Sequence, residues 1–162
     1  GVGVRLAADE VQSAFRLARA YALRESARVG VRFETAADGA VSWALYRDDD
    51  GDGVRGDDIA AGTDPQVAPR RRLAHFGRVV RFGFPPGRPP RDPADPRRRL
   101  DRLDDPIRFN RSDIASFSPL DGATPGTVYI TDGAGRLAAV RVLGRTGRGR
   151  VITYTKTDET WR

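Results

Sequence analysis

Val11, Ala14, Phe15, Ala18, Ala22 and Leu23 recur three and four residues apart, with Arg16, Arg19, Arg24 and Glu25 mostly between them. That spacing gathers the apolar side chains into one stripe of an α-helix and leaves the charges on its other side. No proline interrupts the stretch, and Ala, Leu, Arg and Glu are good helix formers. The pattern predicts a helix over residues 1–29, with Gly30 as its stop. A single helix cannot bury its own stripe, so the rest of the chain must provide a face for it. The periodicity reaches almost to the first residue without a capping signal, as though the helix were cut rather than begun.

After Gly30 the apolar period changes to two. Residues 29–34 and 40–46 (AVSWALY) read as strands joined by Asp38-Gly39. Residues 78–84 (RVVRFGF) and 107–110 read as shorter extended pieces. Residues 127–131 (TVYIT), 137–143 (LAAVRVL) and 150–155 (RVITYT) are the clearest strands, and the short Gly-rich turns between them predict an antiparallel meander. Residues 85–96 hold six of the eleven prolines and cannot lie inside a sheet. Together with the arginines that follow, residues 85–103 are expected to form a mobile, charged loop. These pieces give one α+β domain over residues 1–162: a long N-terminal helix packed on antiparallel sheet.

Composition narrows the chemistry. There is no cysteine, so no disulfide, thiolate metal site or cysteine nucleophile is available, and His75 is the one histidine. His75 sits among arginines (RRRLAHF) with nothing to mark it as a base. Neither G-x-S-x-G nor H-E-x-x-H occurs, and the reading is non-enzymatic. Trp43 and Trp161 are expected in core or edge packing. No stretch is long and apolar enough to span a bilayer.

The sharpest chemical signal is residues 48–58 (DDDGDGVRGDD), with six aspartates and three glycines. Asp48, Asp50 and Asp52 fall at positions 1, 3 and 5 of a calcium loop. Gly53 falls at the sharp turn of position 6, and Val54 at position 7, where a backbone carbonyl is the ligand. Position 12 is Ile59 rather than a bidentate glutamate, so Asp57 or Asp58 would have to close the sphere. Calcium is the expected cofactor on this reading. The other reading of the same residues is an Asp/Gly-rich turn.

The bases are almost all arginine: 28 in total against 22 acids, with Lys156 the one lysine. Arg70–Arg72, Arg97–Arg99 and the group Arg145, Arg148 and Arg150 could fork onto phosphates. Alternatively they form a solvated surface. No aromatic residues interleave with them as a single-strand binder would require.

Three stretches together resemble the GspH/FimT family, the minor pseudopilins of type II secretion and minor type IV pilins. They are residues 9–33 (DEVQSAFRLARAYALRESARVGVRF), residues 41–59 (VSWALYRDDDGDGVRGDDI) and residues 116–151 (SFSPLDGATPGTVYITDGAGRLAAVRVLGRTGRGRV). The resemblance implies a pilin-like fold and an apolar half-helix upstream, preceded by a prepilin peptidase site. It also implies an inner-membrane anchor with this domain in the periplasm, and other minor and major pseudopilins as partners near a filament tip. The alternative within the family is a FimT-like pilin in pilus biogenesis or DNA uptake, binding DNA through Arg145, Arg148 and Arg150.

Overall fold

The computed structural model describes residues 2–73, 76, 79–120 and 122–162. The expectations for His75 and for the start of the strand at Arg78 lie outside the described residues. Helix α1 (Val2–Glu25) comes first, and β1 (Val29–Thr35) and β2 (Val41–Arg47) follow as a hairpin. After the short helix α2 (Gly56–Ala61) come β3 (Gln66–Arg72), β4 (Arg81–Phe82), β5 (Ile107–Arg108) and β6 (Ile114–Phe117). The chain closes with β7 (Gly126–Thr131), β8 (Leu137–Val142), β9 (Gly149–Thr155) and β10 (Thr160–Trp161).

Among the described residues every strand pair is antiparallel, but the strands form two sheets rather than one. The first has the order β3-β2-β1-β6, and the second β10-β9-β8-β7-β4, with β5 also on β7. Helix α1 lies across both. Its stripe of Val4, Ala7, Ala8, Val11, Ala14, Phe15, Ala18 and Ala22 is buried. The stripe meets Val29, Val31, Phe33, Trp43 and Leu45 of one sheet and Val128, Ile130, Ala138, Val140 and Val142 of the other. Leu23, which the spacing adds to this stripe, is 57% exposed instead. Phe15 is the hub, with its ring 5.8–6.1 Å from Phe109, Phe117 and Phe33. Trp43 is in this core, as expected.

The helix ends before the predicted stop. Ser26 takes a left-handed φ of 52°, and the Ala27 N–H returns to the Ala22 carbonyl, so the chain turns directly into β1. Gly30 has a different job. It lies within β1, where a Cβ would stand 2.8 Å from Ile114 Cγ2 and 3.1 Å from Val54 Cγ1. The missing side chain lets Val54 and Ile114 pack with Ala44 and Tyr46 on the outer face of the first sheet.

The second sheet carries a second apolar layer on the side away from α1. Phe84, Leu100, Tyr129, Leu137, Ala139 and Ile152 cluster there, with Leu103, Tyr154 and Trp161 against them. Residues 85–103, expected as a mobile loop, run over this layer. The Arg91 N–H donates to Tyr154 Oη, Trp161 Nε1 donates to the Arg91 carbonyl, and Arg99 donates to Glu159.

Candidate functional site

The aspartate-rich segment leaves β2 at Arg47 and folds around the Asp48 carboxylate. Asp48 is pinned at its own N–H by the Arg28 carbonyl, 2.9 Å away. Its Oδ1 accepts from the Gly51 N–H at 2.9 Å and the Asp50 N–H at 3.3 Å, and its Oδ2 accepts from the Gly53 N–H at 2.9 Å. A chain that wraps one side chain this closely needs left-handed residues, and Gly51 and Gly53 supply them with φ of 83° and 94°. Val54 then inserts its side chain into the outer apolar cluster and fastens the loop to the sheet.

A second carboxylate closes the loop from inside. Helix α2 ends at Gly62 in the left-handed conformation. Asp64, only 1% exposed, then accepts from the N–H groups of Asp49 at 3.3 Å and Arg55 at 3.0 Å. Asp64 lay beyond the run that the sequence marks. Its signal, an acid between Gly62 and Pro65, is an ordinary turn signature until the chain folds back.

The carboxylates meet in two groups that share Asp50. One holds Asp48, Asp50 and Asp52, the other Asp50, Asp58 and Asp64, with the ligand oxygens of each group within 4.8 Å of one another. Asp57 stands outside both, exposed, with an oxygen 3.5 Å from Arg55 Nε. Arginines neutralise the rim: Arg47 Nε lies 2.6 Å from Asp49, and Arg55 lies 4.0 Å from Asp52.

The titration of these groups follows from their neighbours. Desolvation pushes the Asp48 carboxyl up. The N–H groups of Gly53, Gly51 and Asp50, with the Asp50 side chain, outweigh it and hold Asp48 below the ordinary carboxylate value. Asp50 is pushed up by its hydrogen bond with Asp52, then by desolvation and by Asp48. Asp58 is pushed up by desolvation and by the charge of Asp50. Clustered carboxylates relieve their repulsion by holding a proton or a cation.

Calcium takes six to eight hard oxygen ligands, and this donor set is of that kind. Among the described residues Asp58 Oδ2 is sealed from solvent and has no hydrogen-bond partner. A buried carboxylate oxygen left in that state is costly, and a cation between Asp50, Asp58 and Asp64 would satisfy it. The residues therefore fit a calcium ion.

The arginines of the third sequence cluster are divided by the fold. Arg148 lines a cleft against α1 together with Arg16 and Arg19. Arg150 sits directly opposite Arg141 in the β8–β9 register. It shares strand parity with Ile152, which places it on the sheet face away from α1. Arg145 is exposed, in the same turn between β8 and β9 that holds Arg148.

Among the described residues no helix is long and apolar enough to cross a membrane. A family model described as type II transport protein GspH matches residues 7–147. No curated protein and no solved structure matches the chain significantly.

Proposed function

The chain belongs to the GspH family of type II transport proteins, and from that premise we propose that it is a non-enzymatic minor pseudopilin that assembles at or near the tip of a type II secretion pseudopilus. The observation that carries this reading is the way α1 is used. One flank of the helix is consumed by the two sheets, from Val4 to Ala22, while Val2, Leu6, Leu17 and Leu23 stay exposed on it. A helix built in this way serves as the domain's spine and keeps apolar side chains for neighbouring subunits. In the family setting the domain faces the periplasm, anchored to the inner membrane, and its partners are other minor and major pseudopilins.

Calcium belongs to this reading as a structural ion. Bound among Asp48, Asp50, Asp52, Asp58 and Asp64, it would tie the loop after β2 to the segment after α2 and fix a surface on the outer side of the first sheet. This chain's residues do the positioning: Asp48 through three backbone N–H groups, Asp64 through two.

The second reading, a FimT-like pilin for pilus biogenesis or DNA uptake, asks Arg145, Arg148 and Arg150 to act together. Arg148, in the turn before β9, lines the cleft against α1, whereas Arg150 shares the parity of Ile152 on the face away from it, and this division supports the secretion reading. Deleting the gene and scoring type II secretion against DNA uptake in the same strain tests the choice. Loss of secretion with uptake intact supports the pseudopilin, and the reverse outcome would overturn it.

A further inference from the structure

The bases of this chain are not spread evenly. Residues 11–24 and residues 133–157 contain nine bases and no Asp or Glu, and the remaining 19 bases and 22 acids leave the rest of the chain at −3. The fold brings these two acid-free stretches together. Gln12 Nε2 donates to the Gly149 carbonyl at 2.9 Å, which locks α1 against the start of β9. Gly147, at φ 70°, lies under the Arg19 stem, where a Cβ would stand 3.6 Å from Arg19 Nε. The turn between β8 and β9 therefore approaches the helix closely, and a cleft of about 470 Å³ opens between them.

Arg16, Arg19 and Arg148 line this cleft, and among the described residues none of them has a carboxylate within ion-pair distance. Elsewhere along α1 the charges are paired: Arg5 meets Asp9 at 3.4 Å, and Glu10 takes Arg71 at 3.2 Å. Guanidiniums that line one cleft without a counter-charge leave it positive, and a ligand that supplies the counter-charge is attracted to it. The same cleft is lined by Ala20 and by Leu23, which is 57% exposed.

We infer that the cleft between α1 and the β8–β9 turn is a docking site for a carboxylate-rich, amphipathic segment of a neighbouring protein subunit. The carboxylates would pair with Arg16, Arg19 and Arg148, and an apolar side chain beside them would rest on Leu23 and Ala20. The lining favours a protein over a nucleic acid: among the described residues no aromatic side chain is there to stack a base, and an apolar patch beside arginine is the composition of a protein interface. The uneven charge would also steer an acidic partner toward this end of the molecule. This inference rests on the subunit reading above and names the chemistry of one partner surface.

The test uses the 162-residue chain and a synthetic helical peptide of glutamate and leucine, followed by fluorescence anisotropy, with oligothymidylate of equal charge as the second probe. The combined variant Arg16→Gln, Arg19→Gln, Arg148→Gln should bind the peptide about tenfold more weakly, as the loss of three exposed ion pairs implies. A control variant with the same loss of charge at Arg72, Arg98 and Arg111 should lose less than about threefold. Equal losses in the two variants would overturn the site, as would oligothymidylate binding tighter than the peptide through the same arginines. Because no other pilin is in the assay, a negative result removes the cleft and leaves the family assignment and the secretion reading standing.

Discussion

Arg99 donates to Glu159 at 2.5 Å across sixty residues of sequence, and Arg91 and Arg88 reach the same carboxylate at 3.1 and 3.2 Å. One acid in the β9–β10 turn thus gathers three arginines from the proline-rich segment. The Arg99 hydrogen bond, with the charges of Arg88 and Arg91, holds the Glu159 carboxyl below its ordinary value against desolvation. A depressed acid contributes its share above the unfolded value and loses it as the pH falls through the folded one.

Glu159→Gln should therefore loosen residues 85–103 without unfolding the domain, because Phe84 and Leu100 remain in the apolar layer. Limited trypsin digestion should cut after Arg97, Arg98 or Arg99 several times faster in the variant at neutral pH. As the pH falls through the carboxylate range the parent protein should approach the variant, which is best read with an acid-tolerant protease. Identical digestion of the two proteins at neutral pH would show that Glu159 does not hold the segment.

Phe15→Ala should cost about 3–5 kcal/mol, the usual range for removing a fully buried ring. Phe15 is 1% exposed and touches aromatic rings on three other segments, so no neighbour can collapse cheaply into the space. The urea midpoint should fall in proportion. An unchanged midpoint would contradict the packing of α1 across both sheets.

Much of this architecture is legible in the sequence because it is local. The helix stripe, the Asp38-Gly39 hairpin and the β7–β8–β9 meander each rest on residues a few positions apart. The unread parts depend on distant partners. Strand β3 is rich in exposed arginine and paired to β2 through irregular register, so it shows no alternation. Strand β6 is four residues long and takes its place only by pairing with β1. Within the candidate site, the spacing of Asp48, Asp50 and Asp52 was legible for the same local reason. Asp64 was not, because only the turn after α2 carries it back. Nor does alternation separate Arg148 from Arg150, which stand two residues apart and so share strand parity; the separation arises because Arg148 lies in the turn before β9, where the period of two no longer holds.

Gly122→Ala should destabilise the domain by about 1–3 kcal/mol, the range for a strained backbone. Gly122 has φ 87°, and a Cβ there would overlap the Gly144 carbonyl and stand 2.9 Å from the Arg145 carbonyl. The turn that carries the cleft is thereby braced from behind. A melting temperature equal to the parent would show that the segment between β6 and β7 yields freely.

Calcium in hundredfold excess over its dissociation constant should raise the melting temperature by about 5 °C or more at pH 7. Asp50→Asn with Asp58→Asn should abolish the rise. The raised carboxyls of Asp50 and Asp58 fix the sign with pH. Without metal, their contribution is present below the unfolded value and is lost as the pH climbs through the folded one. Protons and calcium compete for the same oxygens, so the calcium-dependent rise should shrink as the pH drops through those raised values. Equal melting curves in EDTA and in millimolar calcium would leave the segment as a turn.

A domain that is a subunit among other pseudopilins keeps them within cross-linking reach of the exposed side of α1. Leu6 and Leu17 are 49% and 45% exposed on the helix, in a chain with no native cysteine. Leu6→Cys and Leu17→Cys, expressed in the native host and cross-linked in intact cells, should yield adducts whose partner peptides map to other pseudopilins, with secretion retained in the uncross-linked cells. Both cysteines accessible to a soluble thiol reagent, no adduct with a pseudopilin, and type II secretion unchanged on loss of the protein would together show that the domain is not such a subunit.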